Sequence, residues 1–388
     1  MSPQKLNILF LCSWYPNPEN QSNGLFIKRH AQAISLFHQV TIIFVKSIPH
    51  IHQETITKYE DGDFKEYCVY YPKIKLNIPL IGNFLKLALF KKKYQKAIQQ
   101  FSGLQNFDVI HVNTIFPAAI PALYAIKKWP KAKLFITEHW SGYYPEDGNY
   151  KGWYLNSITQ KLVHKAEKIF VISENLKNQM IKHHLYGDYY KINNVVDTSV
   201  FKPTDAATTD IGTLKILHVS SMVNREKNIS GIIEIAKQLT FQNFSFKLHI
   251  IGENREEMGY YKKTIKNYNL ENKIEFLGYK TADEIAYQMN QSDVFLLFSH
   301  FEGMPVVLLE SMACGLPVIS TQVGEVNQMV KPSMGIILKT NTIEEAVDEI
   351  QNFKRELYSS PEEMHRHIEK NYGLQAVGNV LSELYLNT

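Results

Sequence analysis

Short apolar runs alternate with longer segments of helical period along most of the chain. Leu6–Cys12, Val40–Lys46, Asp108–Val112 and Lys133–Thr137 are such runs in the first half. Leu214–Val219, Phe246–Ile251, Ile274–Leu277, Val294–Phe298 and Val318–Thr321 are those of the second. Apolar residues at successive positions predict strands covered on both faces. Helices are predicted at 25–37, 117–128, 229–239 and 281–290, and an alternation of this kind builds parallel sheets. Residues 198–213, rich in Thr, Asp, Ala and Pro and without period, predict a linker. The expectation is an α/β chain of two doubly wound, Rossmann-like domains, 1–197 and 214–373, facing each other across a cleft. A last helical pattern, within 374–388, is expected to pack back on the first domain.

The stretch 293–321 organises the rest. Its strand, Val294–Phe298, leads into the polar turn Ser299-His300-Phe301-Glu302-Gly303. Pro305 suits the first position of a helix, where a missing N–H costs nothing. That helix is expected to run to about Cys314, with Gly315 as its left-handed cap before the next strand. Backbone N–H groups of Gly303, Met304 and Val306, around Pro305, would face an anion above the strand. Glu302 and Glu310 stand eight residues apart. Were that interval helical throughout, roughly 12 Å would separate the two carboxylates. That is about the span from sugar to ribose in a nucleotide-sugar, with its diphosphate over the helix end. Two solvated glutamates on an ordinary βαβ unit are the plainer alternative.

A length of 388 residues exceeds what one core usually serves. Hydrophobic content of 45% and charge of 21% describe an ordinary globular protein, and a net charge of +4 argues for no nucleic-acid partner. The first βα loop lacks G-x-G-x-x-G, which argues against NAD or FAD. Cys12, Cys68 and Cys314 are odd in number and show no C-x-x-C spacing, so a reducing, cytoplasmic setting is expected. No signal peptide and no apolar run long enough to span a bilayer are read in the chain. Asp61-Gly62-Asp63 could hold a divalent cation, but between two β-rich runs it reads better as a hairpin turn, and no metal or cofactor is expected. Residues 73–100 interleave Lys73, Lys75, Lys86, Lys91, Lys92, Lys93 and Lys96 with Ile78, Leu80, Phe84, Leu85 and Phe90. A cationic amphipathic stretch can lie on an anionic membrane surface, and a helix with one buried face has the same pattern.

Phe301–Glu310 and Ser311-Met312-Ala313-Cys314-Gly315-Leu316-Pro317-Val318 resemble the E-x7-E signature of the retaining, GT-B-fold glycosyltransferases of family 4, the group 1 enzymes. Weaker echoes cover most of both halves. Thr137-Glu138-His139-Trp140 resembles the family's Glu/Asp-His segment, Lys168–Ser173 its Val-x-Ser segment, and Ile192–Phe201 its Asn-Gly-Val-Asp run.

The resemblance implies transfer of a sugar from a UDP- or GDP-sugar to a hydroxyl with retention, without metal. It implies that Glu302 holds the sugar hydroxyls, Glu310 the ribose, and His139 the donor sugar and its phosphate. A structural histidine remains the alternative at 139. Gly24 would lie beside the donor phosphate, Gly252 and Gly278 beside the nucleotide, and the backbone at Tyr279 beside the base. Lys227 stands where the family has a diphosphate-binding lysine. Ser221 replaces the usual arginine, which removes a bidentate guanidinium, and Arg225 or the Ser220 and Ser221 hydroxyls would have to compensate. Gln328 likewise replaces a glutamate. These departures leave open a catalytically weak sugar-nucleotide-binding or regulatory protein, and an epimerase or phosphorylase of the same fold. The expected acceptor is a glycan or lipid-linked hydroxyl of cell-surface polysaccharide synthesis, with the enzyme cytoplasmic or peripheral on the membrane's inner face.

Overall fold

A computed structural model of the chain describes residues 5–74, 81–103, 105–204 and 212–388. They divide into two compact units: the chain up to Val195 with Leu374–Thr388, and Val196–Gly373. Of the expected linker, 205–211 lie outside the described residues, as do 75–80 of the lysine-rich stretch.

The first unit begins β1 (Asn7–Cys12), α1 (Leu25–Ser35), β2 (Gln39–Ile48), β3 (Thr55–Asp61), β4 (Phe64–Pro72), α2 (Ile81–Phe101). It continues β5 (Val109–Asn113), α3 (Ile115–Lys128), β6 (Lys133–Glu138), α4 (Trp153–Val163), β7 (Lys168–Val171), α5 (Glu174–Lys182), β8 (Tyr189–Lys191). Eight strands form one sheet in the order β3-β4-β2-β1-β5-β6-β7-β8. All neighbours are parallel except β3, which pairs antiparallel with β4. β3 is the first of the two β-rich runs expected about the Asp61-Gly62-Asp63 turn, and every one of its residues is exposed. Asp61-Gly62-Asp63 is the turn of the β3–β4 hairpin: Gly62 has φ 55 and the Asp63 carboxylate meets Lys5.

The second unit runs β9 (Leu214–Val219), α6 (Asn224–Lys227), α7 (Ile229–Phe241), β10 (Phe246–Ile251), α8 (Met258–Asn267), β11 (Ile274–Gly278), α9 (Ala282–Asn290), β12 (Val294–Leu297). It then adds α10 (Val306–Ala313), β13 (Val318–Ser320), α11 (Val326–Met329), β14 (Gly335–Ile337), α12 (Ile343–Gln351) and α13 (Pro361–Tyr372). Its six strands are all parallel, in the order β11-β10-β9-β12-β13-β14. Ile216, Leu248, Ile250, Val294, Leu296 and Ile319 meet Ile229, Ile232, Ile233 and Ala236 of α7 in one core. Central strands are covered on both faces, which is why they read as unbroken apolar runs.

The final helix, α14 (Leu374–Leu386), belongs to the first unit and packs on α1. Two buried histidines receive it. His111 meets Tyr385 Oη through Nδ1 at 2.5 Å and Thr137 Oγ1 through Nε2 at 2.7 Å, and His38 Nε2 meets Ser382 Oγ at 2.8 Å. Burial holds the His111 ring well below its usual pKa, so it stays neutral and one nitrogen must accept.

Candidate active site

Strand order says where to look. In an open parallel sheet, ligands bind beyond the carboxyl ends of the strands, where neighbouring strands run their connections in opposite directions. In the second unit that point lies between β9 and β12, paired through Ile216↔Val294 and Leu217↔Phe295. The loops after these strands carry Ser220–Lys227 and Ser299–Val306. In the first unit the same reversal lies between β1 and β5. Its loops carry Gly24 and Thr114, with His139 following the neighbouring β6.

Lys227 and Glu302, 75 residues apart, form a two-pronged ion pair: Nζ lies 2.7 and 2.8 Å from the two carboxylate oxygens. Their side chains are 19% and 8% exposed, so this is a largely desolvated pair. Ser299 Oγ donates to the same carboxylate at 2.8 Å. The backbone repeats the connection, because His300 N–H donates to Glu226 O at 2.8 Å. The turn after β12 and the turn after β9 are thus one assembly. Sequence reading assigned both residues to a ligand and missed that they also hold each other.

The loop after β9 is set by a buried histidine. His218 Nδ1–H donates to Leu296 O at 2.9 Å, which leaves Nε2 to accept from Ser220 Oγ at 2.8 Å; Ser220 Oγ accepts Met222 N–H at 3.0 Å. Ser221, between them, is exposed. Arg225 is exposed and meets Glu226 at 3.3 Å. Gly252 follows β10 at φ 140, and a Cβ there would lie 2.0 Å from Ser220 O, so the loop passes where only glycine permits it. Gly278 ends β11 at φ 70, its carbonyl accepting Gly252 N–H at 3.0 Å, and Tyr279 beyond it is 46% exposed.

His218 makes acid a local stress. Burial, with Lys227 adding, lowers its pKa from 6.5 to about 4. The unfolded chain therefore binds this proton more readily, and stability falls as the pH drops from about 6.5 to 4, by on the order of 3 kcal/mol from this group. Denaturant unfolding across that interval should show His218→Gln losing less stability than the parent by about that amount. Equal losses would mean that His218 is not the titrating group.

Helix α10 starts at Val306, one residue later than expected. Pro305 is its N-cap at φ −69 and ψ 102, not its first helical residue. Glu302 therefore lies on the turn and Glu310 within the helix, so the interval between them is only partly helical and the roughly 12 Å figure of a continuous helix does not apply. Among the described residues, the N–H groups of Gly303, Val306 and Val307 have no partner within the protein. Met304 is buried. Glu310 is 9% exposed. Gly324, at φ 52, lets the loop after β13 close on this turn: a Cβ would stand 2.1 Å from Gly303 O and 2.5 Å from Glu302 O. Glu325 N–H then donates to Gly303 O at 2.9 Å.

In the first unit, Gly24 is the left-handed N-cap of α1, and a Cβ there would lie 2.6 Å from the Trp14 backbone carbon. It is needed for the loop's closure whatever else it touches. His139 is placed by Glu138, fully buried, whose carboxylate accepts Ile115, His139 and Trp140 N–H at 3.0, 2.8 and 2.9 Å and Tyr143 Oη–H at 3.0 Å. Burial pushes the Glu138 carboxyl up, and these donors pull it back. The His139 ring packs 4.5 Å from Phe26, and burial, with His30 and His111 nearby, holds its pKa well below 6.5. It is a neutral imidazole near pH 7, able to give or take a hydrogen bond but carrying no charge for a phosphate. His139 Nε2, Asn113 Nδ2 and Oδ1, and Thr114 Oγ1 are buried without a hydrogen-bond partner among the described residues. Thr114, β-branched, stands at φ 58. Sequence reading passed over Asn113 and Thr114; the only signal was polar residues at the carboxyl end of an apolar strand.

Two family models divide the chain. The one described as "Glycosyltransferase Family 4" matches residues 28–200, and "Glycosyl transferases group 1" matches 202–373. An uncharacterized glycosyltransferase of Methanocaldococcus jannaschii is 28% identical over 72% of this chain and 72% of its own length. A putative colanic acid biosynthesis glycosyltransferase of Salmonella typhimurium is 28% identical over 44% of each chain. Among solved structures, the sucrose-phosphate synthase of Thermosynechococcus elongatus superposes with a TM-score of 0.76 at 16% identity, over 98% of both chains. Anabaena HepE, in complex with UDP and glucose, gives 0.71 at 16% identity over 99% of this chain and 100% of that one. At such identities the likeness speaks for the fold, two Rossmann-like sheets of the GT-B kind.

Proposed function

We infer the reaction from one premise: the chain belongs to the family 4, group 1 glycosyltransferases. It takes a sugar from a UDP- or GDP-sugar and passes it to a hydroxyl of a glycan or lipid-linked acceptor, with retention at the anomeric carbon, in the making of a cell-surface polysaccharide. HepE's complex with UDP and glucose supports the donor class, and the colanic acid relative supports the pathway class.

The observation that carries this reading is the Lys227–Glu302 pair at the reversal point of the second sheet. A departing diphosphate gathers negative charge in the transition state, and a preset cation beside open backbone N–H groups stabilises it there. Lys227 and the N–H groups of Gly303 and Val306 take that role. Glu302 accepts from the sugar hydroxyls and steadies positive charge at the anomeric carbon, while Glu310 accepts from the ribose. Donor binding draws Lys227 from carboxylate to phosphate, freeing Glu302 for the sugar in the same movement. His139, neutral, hydrogen-bonds the donor through Nε2. Asn113 and Thr114 offer donors and acceptors that a substrate hydroxyl or an ordered water satisfies. Gly24, Gly252, Gly278 and Tyr279 keep the backbone roles their resemblance implies, and Ser221 and Arg225 contribute little charge.

Incubation with UDP- and GDP-sugars and oligosaccharide or polyprenyl-linked acceptors tests the reading. Release of nucleoside diphosphate only when acceptor is present supports transfer. Donor binding without release on every acceptor supports the second reading, a binding protein, which the exposed Ser221 at the arginine position favours.

The membrane assignment rests on α2. Lys91 and Lys92 are exposed, Phe84 is 72% and Leu85 41% exposed, while Lys93 and Lys96 meet Glu54 at 2.6 and 3.3 Å. Among the described residues no helix is long and apolar enough to cross a membrane. Cosedimentation with vesicles containing anionic phosphatidylglycerol should fall severalfold when Lys91, Lys92 and Lys93 become Glu, at roughly 1 kcal/mol per surface lysine. Unchanged cosedimentation would leave α2 an ordinary surface helix.

A further inference from the structure

The donor-side loop is also fastened from behind, by groups without a part in the chemistry. Met222 is fully buried at φ 58, a conformation that an L-residue holds only when its surroundings fix it. Two donors meet its carbonyl: Asn254 Nδ2 at 3.1 Å and Tyr261 Oη at 3.0 Å. Both also reach Glu257 Oε2, at 2.6 and 3.1 Å. The same oxygen accepts the Asn224 N–H at 2.9 Å. Asn224 opens α6, the turn that ends in Lys227, and its own Oδ1 accepts Ser230 N–H from α7 at 2.9 Å.

One carboxylate oxygen at the head of α8 thus ties down both sides of the turn that presents Ser221, Arg225 and Lys227. Burial and the Glu257 hydrogen bond push the Tyr261 phenol up, so it remains a neutral donor shared between Met222 O and Glu257. Asn254 can give one amide hydrogen to each acceptor. The loop carrying these groups is fixed before any ligand arrives.

We propose that Glu257, with Asn254 and Tyr261, is a positioning residue for the donor diphosphate. It presets the Ser220–Lys227 turn so that Lys227 and the Ser221 hydroxyl meet phosphate without first being ordered. The proposal rests on the donor reading above and adds to it. Where a serine stands in place of a bidentate arginine, affinity lost in charge is partly recovered by preorganisation.

The test uses the full chain, UDP and GDP as probes, and two readouts: hydrogen exchange without ligand, and binding calorimetry. Glu257→Ala and Tyr261→Phe should speed exchange at the Met222 and Asn224 amides about tenfold while β12 and α10 keep their protection. They should weaken nucleotide binding by about five- to tenfold. Glu257→Gln keeps an oxygen able to accept the Asn224 and Asn254 N–H groups and should recover most of both. Wild-type binding with every variant within twofold overturns the proposal, and so does exchange that rises across the whole unit. A wild-type chain that binds neither nucleotide sinks the donor reading itself, and this inference with it.

Discussion

Lys227→Ala should lower turnover by about 10²–10³-fold, the usual cost of removing one preset group that meets charge in the transition state. Affinity for the nucleoside diphosphate should fall about tenfold or more, as for a lost charge-assisted hydrogen bond. Stability should fall as well. Glu302, its side chain 8% exposed, would keep Ser299 Oγ as a donor but lose its cation. Breaking one side of a desolvated pair costs about 3 kcal/mol, mostly because the other charge is left alone. Adding Glu302→Gln to Lys227→Ala should therefore restore much of the stability and none of the turnover. Glu302→Gln alone frees Lys227 from its carboxylate, so it should bind UDP or GDP at least as well as the parent while turning over poorly. A double-mutant cycle by denaturant unfolding, run beside calorimetry, reads both effects. Additive stability losses, with nucleotide affinity of Lys227→Ala within twofold of the parent, would remove the pair from the mechanism.

Gly324→Ala should be nearly as damaging without touching a ligand. The new methyl carbon would stand 2.1 Å from Gly303 O at a residue held at φ 52. Left-handed backbone costs an alanine about 1–2 kcal/mol, and the clash adds to it, so a loss of about 2–4 kcal/mol is expected. To relieve it, either the loop after β13 or the Glu302–Gly303 turn must move. Turnover should then fall by tenfold or more, since a shift of an ångström in a positioning element is enough. Unfolding midpoint and turnover should change together. A variant with parental stability and activity would show that the two loops do not press on one another.

Much of this was legible without coordinates. β9 and β10 have the expected limits, and β12 and β13 end one residue early, because apolar runs and flanking glycines are local signals. Within α3, Phe116 is not helical, at φ −107 and ψ 132, so the regular helix covers 117–128 as expected, and the one at 281–290 is capped by Thr281, whose side chain accepts Glu284 N–H while Glu284 reaches back. The E-x7-E stretch falls on a turn and the helix that follows it, as expected. What escaped was of two kinds. The strands β8 and β14, three residues each, are too short to show a period. Polar residues such as Asn113, Asn254 and Glu257 look like any others until their neighbours are known.

The amino-acid order by itself determined most of the strands and helices and which family the chain belongs to. Those properties depend on a residue and the few beside it. Only the tertiary structure decided that Lys227 grips Glu302, that Met222 is held by Glu257's partners, and that His139 is neutral. Each of these joins residues far apart in the chain, and each turns on strand order and on how completely water is removed. A charge, a tautomer or a strained backbone angle takes its value from its surroundings, and the surroundings exist only once the chain has folded.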